Sequence, residues 1–256
     1  MEALIKTYGI ILLLMLTVYY FIPAGILYYL FFIRQREKWK HMRIQTKWPG
    51  ASTIRHEIKW SVIALSIFAF YTTGLYQLII NEYTSMYFDI EEYGWIYFIV
   101  SPVIAFFVHD AYYYWTHRFM HWRPVFRYFH SVHHKSKNPT PFAAYSFQPL
   151  ETVIQFGIYP LLLIFIPFHP LAVGIFMGYN LIINSAGHTG FEFLPPKYAH
   201  HWFFKWQNAV THHDMHHSHV NCNFGLYFNI WDRLMGTLHK DYTQKFDSIK
   251  NKVSKY

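Results

Sequence analysis

The chain has almost no sulfur chemistry to offer. Its 256 residues include one cysteine, Cys222, so an intrachain disulfide, a thiolate zinc site and a cysteine-held iron–sulfur cluster are excluded. Charge is scarce as well. Asp, Glu, Lys and Arg make up 14% of the residues, against about 25% in a typical soluble domain. There is no Gly-x-Gly-x-x-Gly nucleotide turn and no Gly-x-Ser-x-Gly nucleophile elbow. What is present is apolar: 53% of the residues are hydrophobic and 22% aromatic. A chain of this length is one domain or a compact membrane unit.

The net charge of +8 follows the pattern of membrane topology and does not call for nucleic acid. Apolar stretches over 7–33, 60–81 and 93–108 read as three spans. Pro23 and Gly25 predict a kink in the first. The third is short unless it continues through Asp110 and Trp115. Segments 152–168 and 171–187 flank the break Ile166-Pro167-Phe168-His169-Pro170 and read as a tight helical hairpin, spanning or re-entrant. The loop over 34–59 carries Arg34, Arg36, Lys38, Lys40, Arg43, Lys47, Arg55 and Lys59. The loop over 81–92 carries Glu82, Asp89, Glu91 and Glu92 and no base. The positive-inside rule puts the first loop in the cytoplasm and the second outside. Trp39, Trp48 and Trp60 fit an interfacial belt around the basic loop. The predicted fold is an all-α integral membrane protein of about four transmembrane helices, the last pair a tight hairpin, with a cytosolic helical cap. The predicted organisation is an N-terminal membrane part over 1–92, a histidine-bearing part over 93–240 and a polar, solvated tail over 241–256.

Histidine is the residue in excess. Fifteen of the 18 lie between His109 and His219. Eight fall in three clusters with helical spacing: His117 and His121; His130, His133 and His134; His213, His216 and His217. Residues three and four apart share a helix face, so each cluster can aim two or three ring nitrogens at one point. By topology all three clusters lie on the cytoplasmic side. Eight imidazoles exceed the needs of one ion and suit two. His188, at the same boundary, is a further candidate, since a histidine there needs a partner. Asp110 and Asp214 can accept the free N–H of a ligand histidine and fix its tautomer, or serve as a cap and a surface charge. His109, His212 and His219 stay open; His200 and His201 read as interfacial, and His41, His56 and His169 take no role.

Imidazole binds zinc, copper, iron and nickel alike. A di-zinc hydrolase of a lipid, a non-catalytic metal-binding or transport protein and a dioxygen-activating di-iron oxidase are all compatible with the ligands. Spans nearly free of polar ligands count against transport.

The order of motifs is more specific. His117-Arg118-x-x-His121, His130-x-x-His133-His134, Thr140-Pro141-Phe142-Ala143, Gly187-His188-Thr189-Gly190 and His213-Asp214-x-His216-His217 run in sequence. Asn221-Cys222-Asn223-Phe224-Gly225 and Trp231-Asp232-Arg233-Leu234-Met235-Gly236-Thr237 follow. Over about 93–240 this resembles the fatty acid hydroxylase and sterol desaturase superfamily, nearest to C-5 sterol desaturase-like and sterol hydroxylase members. The resemblance implies an oxidoreductase that hydroxylates or desaturates an unactivated C–H bond of a membrane lipid, a sterol or fatty-acyl lipid. It implies two iron ions, dioxygen as co-substrate and electrons from a cytochrome b5 or ferredoxin-type donor. The implied metal ligands are His117, His121, His130, His133, His134, His188, His213, His216 and His217. The implied setting is the endoplasmic reticulum or a bacterial inner membrane. Arg118, Arg123, Arg127, Lys135 and Lys137 would dock an acidic donor or pair with lipid phosphates. Two departures stand out. Gln148 occupies the place of a family histidine, which leaves it a hydrogen-bonding role beside the ligands. Glu192 stands where some members have a histidine four residues beyond the one at His188.

Overall fold

The computed structural model describes residues 1–253. Among them no strand forms; two isolated bridges join Arg43 to Phe191 and Gln207 to Phe228. In chain order the helices are α1 (Glu2–Arg34), α2 (Ala51–Ile80), α3 (Gly94–Met120), α4 (Arg123–Phe129), α5 (Pro149–Phe165), α6 (Pro170–Gly187), α7 (Val210–His219), α8 (Ile230–Leu234) and α9 (Tyr242–Val253). Four of them, α1, α2, α3 and α6, are long and apolar enough to cross a membrane, and α5 is a shorter apolar helix. The chain is a multi-pass membrane protein.

The helix α1 does not break at Pro23. Two π-helical segments, Met15–Phe21 and Tyr29–Arg34, bracket it, and their wider register absorbs the N–H that proline lacks. Small residues let α1 and α2 both close on the turn Pro141–Tyr145, where Tyr20 Oη and Ser61 Oγ donate to Phe142 O at 3.0 and 2.9 Å. Ala24, Ser61 and Ala64 are fully buried, as close backbone approach in a bilayer requires.

The third span does continue. At 27 residues α3 is about 40 Å long, against about 30 Å of hydrocarbon, so its last turns stand in the cap. Its buried stripe runs through Ser101, Ala105, His109, Tyr113 and His117, small at mid-membrane and polar at the cap. The expected hairpin turns over 166–169, where His169 Nδ1 accepts the Leu171 amide at 3.2 Å. Ile158 and Leu162 of α5 share one core with Ala172 and Phe176 of α6 and Ala105 of α3. The acidic loop closes the tip: the Ser85 and Tyr87 amides donate to the Leu163 and Phe168 carbonyls at 2.8 and 3.2 Å.

The basic loop belongs to the cap. Ile44 N donates to Gly190 O at 3.0 Å, and Glu192 N to Met42 O at 2.9 Å. Trp48 takes the Arg36 and Arg43 guanidiniums at 4.0 Å each, and Trp39 packs on Phe31 at 4.5 Å. These two rings therefore pack within the loop and its helix.

The expected solvated tail is instead the amphipathic helix α9. Tyr242, Phe246 and Ile249 recur on one face and are buried, and Lys250 Nζ donates to Glu192 O at 2.5 Å. Residues 254–256 of that tail lie outside the described ones.

Candidate metal centre

Three segments carry the clusters. The last turn of α3 holds His117 with His121 at its C-cap, and α7 holds His213, His216 and His217. The second cluster departs from the expected helix. His130 follows the end of α4, while His133 and His134 lie in a 3-10 turn, His133–Lys135. Gln148 is the cause. Its Oε1 accepts Val132 N at 3.1 Å and the Ser131 hydroxyl at 3.2 Å; its Nε2 donates to the Arg127 and Tyr128 carbonyls at 3.1 and 3.0 Å. One side chain thus takes the bonds that another helical turn would have made. His56 Nε2, 3.2 Å from Val132 O, holds the same turn from α2.

The nine rings sort into two groups. His117, His121, His130, His134 and His216 form the first; His133, His188, His213 and His217 form the second, with ligand atoms inside each group within 4.8 Å of one another. Adjacent residues His133 and His134 go to different groups. Nε2 meets Nε2 at 2.9 Å between His117 and His130, at 3.1 Å between His134 and His121 and at 3.0 Å between His134 and His216. In the second group the separations are 3.0 Å between His213 and His188 and 3.1 Å between His217 and His213.

Three rings enter these contacts with no proton on Nε2. His117 Nδ1 lies 2.9 Å from the Phe224 carbonyl, His216 Nδ1 2.7 Å from the Cys222 carbonyl and His188 Nδ1 2.7 Å from the Asn184 carbonyl. A carbonyl only accepts, so each Nδ1 carries the proton and each Nε2 is a bare lone pair. His130 Nδ1 lies 2.6 Å from Glu151 Oε1, the two sharing a proton. Bare nitrogens pointing at one another repel unless a cation sits among them. Imidazole nitrogens bind zinc at about 2.1 Å, and two at right angles around one ion are then about 3.0 Å apart. The residues fit a first-row divalent metal in each group.

The rings are held neutral. Burial first, then the neighbouring imidazoles, push His121, His130, His133, His134, His213, His216 and His217 far below the ordinary histidine range. Burial puts His188 at about 4. A neutral ring is the ligand form.

Beyond the histidines, buried carboxylates hold the cap. Asp232 accepts the amides of Phe224 and Gly225 at 2.8 and 2.9 Å and the Thr237 hydroxyl at 2.7 Å. It therefore clamps the loop whose carbonyls hold His117 and His216. A Cβ at Gly225 would collide with the Phe228 carbonyl, which requires glycine there. Burial alone would raise the Asp232 carboxyl; the His212 ring, the Thr237 hydroxyl and the Gly225 amide outweigh it and hold it at about 2. Glu192 accepts Thr211 N and Oγ1 at 2.8 and 2.7 Å, capping the N-terminus of α7.

The expected carboxylate partners are otherwise engaged. Asp110 meets no histidine; it accepts the amides of Tyr227 and Phe228 at 2.8 and 3.1 Å. Asp214 binds Gln45 Nε2 at 3.0 Å, tying α7 to the basic loop, and burial raises it to about 7. Glu151 and Asp232 had no role in the sequence reading; a lone acid in the otherwise uncharged α5 was the available signal for the first. His109 pairs with Tyr227 Oη at 2.9 Å. His212 turns to Asp232, 3.2 Å away, and His219 packs against His239 with ring centroids 4.4 Å apart and tilted by 52°. None of these three enters either group. His200 pairs with Asp247 at 2.9 Å.

A cavity of about 1090 Å³ lies among α1, α2, α5 and α6, walled largely by apolar side chains such as Leu14, Leu65, Leu162 and Phe176. A smaller space of about 30 Å³ touches His133 and His188 of the second group and shares Phe68, Tyr145, Tyr159 and Asn180 with the large cavity.

The sequence model of the fatty acid hydroxylase family matches residues 102–237. The chain is 30% identical to lathosterol oxidase of Rattus norvegicus over 226 residues, 85% of this chain and 70% of that protein. Lathosterol oxidase of Homo sapiens is 31% identical with the same coverage of both chains. A Delta(7)-sterol 5(6)-desaturase of Gibberella zeae is 28% identical over 239 residues, 91% of this chain and 68% of that protein. No solved structure matches.

Proposed function

Since the chain belongs to the fatty acid hydroxylase family and is an oxidoreductase, we propose that it desaturates a membrane sterol, with two iron ions held by His117, His121, His130, His134 and His216 and by His133, His188, His213 and His217. The observation that carries this reading is the convergence of nine buried histidines into two groups, the second bordering a small space that shares residues with an apolar cavity. Iron bound there supplies the reduction of dioxygen and the breaking of an unactivated C–H bond. In balance, one dioxygen takes two hydrogens from adjacent carbons and two electrons with two protons from a reductant, leaving a double bond and two waters.

The chain's own residues do the positioning. The Cys222 and Phe224 carbonyls and Glu151 orient three rings of the first group. Phe126 packs beside His121 and His134, and Phe147 beside His133, at 5.4 to 5.7 Å, keeping water from the rings. The relatives named for lathosterol and Delta(7)-sterols support a sterol as substrate.

The basic loop packed on the cap supports a cytoplasmic site, in the endoplasmic reticulum or a bacterial inner membrane. Arg123, Arg127, Lys135 and Lys137 are exposed beside the second cluster, which suits an acidic donor of the cytochrome b5 or ferredoxin type. Arg118, half-buried against Tyr114 Oη at 3.2 Å, is less available. The test is lipid mass spectrometry of cells with and without the gene, in air and without oxygen. A sterol with one added double bond should appear only with the gene and air. An unchanged sterol profile from a well-expressed, iron-loaded protein overturns the reading.

A further inference from the structure

The small space beside the second group, here the neck, shares four lining residues with the large cavity and touches His133 and His188. Its polar side chains are mostly satisfied within the protein. Tyr227 Oη serves both His109 and Asn180, at 2.9 and 2.6 Å, and Asn184 Nδ2 donates to Ala144 O at 2.8 Å. Gln155 is different. It is 6% exposed, and its Nε2 is buried with no hydrogen-bond partner. It lies one helical turn beyond Glu151, the residue that touches His130, so it sits just beneath the histidines. An unpaired amide in such a place is costly and calls for a partner from outside the chain.

The large cavity has the opposite character. Its lining comes from the halves of α1, α2, α5 and α6 that lie away from the cap. Polar members such as Thr73 spend their hydroxyl on their own helix, here Ala69 O at 2.7 Å. The path is therefore polar at the histidine end and apolar at the far end.

We infer that Gln155 receives the hydroxyl of the sterol, so that the substrate lies hydroxyl end toward the histidines with its apolar body in the cavity. This rests on the sterol reading above and deepens it. The carbons placed at the second group are then ring carbons a few bonds from the hydroxyl; the tail carbons lie in the cavity.

The test measures binding, without turnover, to the metal-loaded protein in nanodiscs kept free of oxygen. The probes are lathosterol and cholest-7-ene, the same skeleton without the hydroxyl. Wild type should prefer lathosterol by about ten- to a hundredfold. Gln155→Leu removes an unpaired amide at similar volume; its thermal midpoint should match or exceed wild type while its preference for the hydroxyl disappears. Gln155→Glu, which can still hydrogen-bond, should keep part of it. In turnover, Gln155→Leu should raise KM for lathosterol more than it lowers kcat. Equal binding of the two sterols by wild type, or full preference retained in Gln155→Leu, overturns the inference and leaves the sterol reading standing. If wild type binds neither sterol, both fall. If Gln155→Leu does not fold, the wild-type comparison of the two sterols decides.

Discussion

The two histidine groups use one kind of side chain and are held by different means. The first is braced from outside. Carbonyls of the 222–224 loop fix His117 and His216, Asp232 clamps that loop, and Glu151 fixes His130. Among the described residues the second has no such loop or acid behind it: His188 bonds the carbonyl of Asn184 four residues earlier on its own helix, and His213 and His217 stand on α7. The first counts five rings and the second four, and the neck borders ligands of the second. In metal sites a closed ligand set goes with structural support and an open position with chemistry. On the proposed sterol reading, the difference favours the second group's side for the substrate and leaves the first to be set by its surroundings.

The strongest way to break that comparison is to remove one ligand from each group. His216→Ala and His213→Ala should each abolish sterol product. If wild type holds the two irons proposed above, metal analysis should find one per chain in each variant, with the group left intact retaining its ion. Loss of both ions from either variant would mean one indivisible cluster and erase the distinction. Phe246→Ala serves as the symmetric control. Phe246 is 0% exposed under α7, and α7 bears ligands of both groups. The substitution should cost about 4 kcal/mol and lower the affinity of both groups together, read by thermal unfolding and chelator competition.

Asp232→Asn should split them again. It weakens the clamp on the loop behind His117 and His216, costing about 3 kcal/mol, and should weaken metal at the first group while the second holds. The sign with pH is fixed. The carboxyl is held at about 2 against an ordinary 3.8, so its stabilisation is full above 3.8 and is lost as pH falls toward 2. Thermal midpoints of wild type should fall through that window more steeply than those of the variant.

How much of this could be read without coordinates depends on the distance over which each interaction acts. The nine histidines that converge were legible as candidates because affinity for metal is a property of the imidazole side chain and the clusters are local. The spans were legible because hydropathy is additive along a helix. The division into five and four was not. His133 and His134 part company because successive residues in a 3-10 turn point about 120° apart, and that turn exists because Gln148 reaches back 16 residues to Val132. Asp110 lies on the buried stripe of α3, but its partners are two amides 117 and 118 residues away, which spacing does not reveal. The amphipathic face of α9 was present in Tyr242, Phe246 and Ile249; the lysines around it made the segment resemble a solvated end.

The subtlest test of the comparison is Glu151→Gln. Its carboxylate sits 2.6 Å from His130 Nδ1, and the Nε2 of the same ring lies 2.9 Å from that of His117. A carboxylate accepting the Nδ1 proton makes the ring a stronger donor through Nε2. Glutamine keeps the shape and an accepting oxygen but gives up the charge, so the fold should survive and the ring should stay in place. Metal affinity at the first group should fall about ten- to a hundredfold, the usual cost of losing such a partner. The second group has no carboxylate behind its rings among the bonds described, so its affinity should not move. Chelator titration with zinc separates the two. Equal weakening of both groups would show that charge spreads across the pair, and no weakening at all would reduce Glu151 to a space-filling residue.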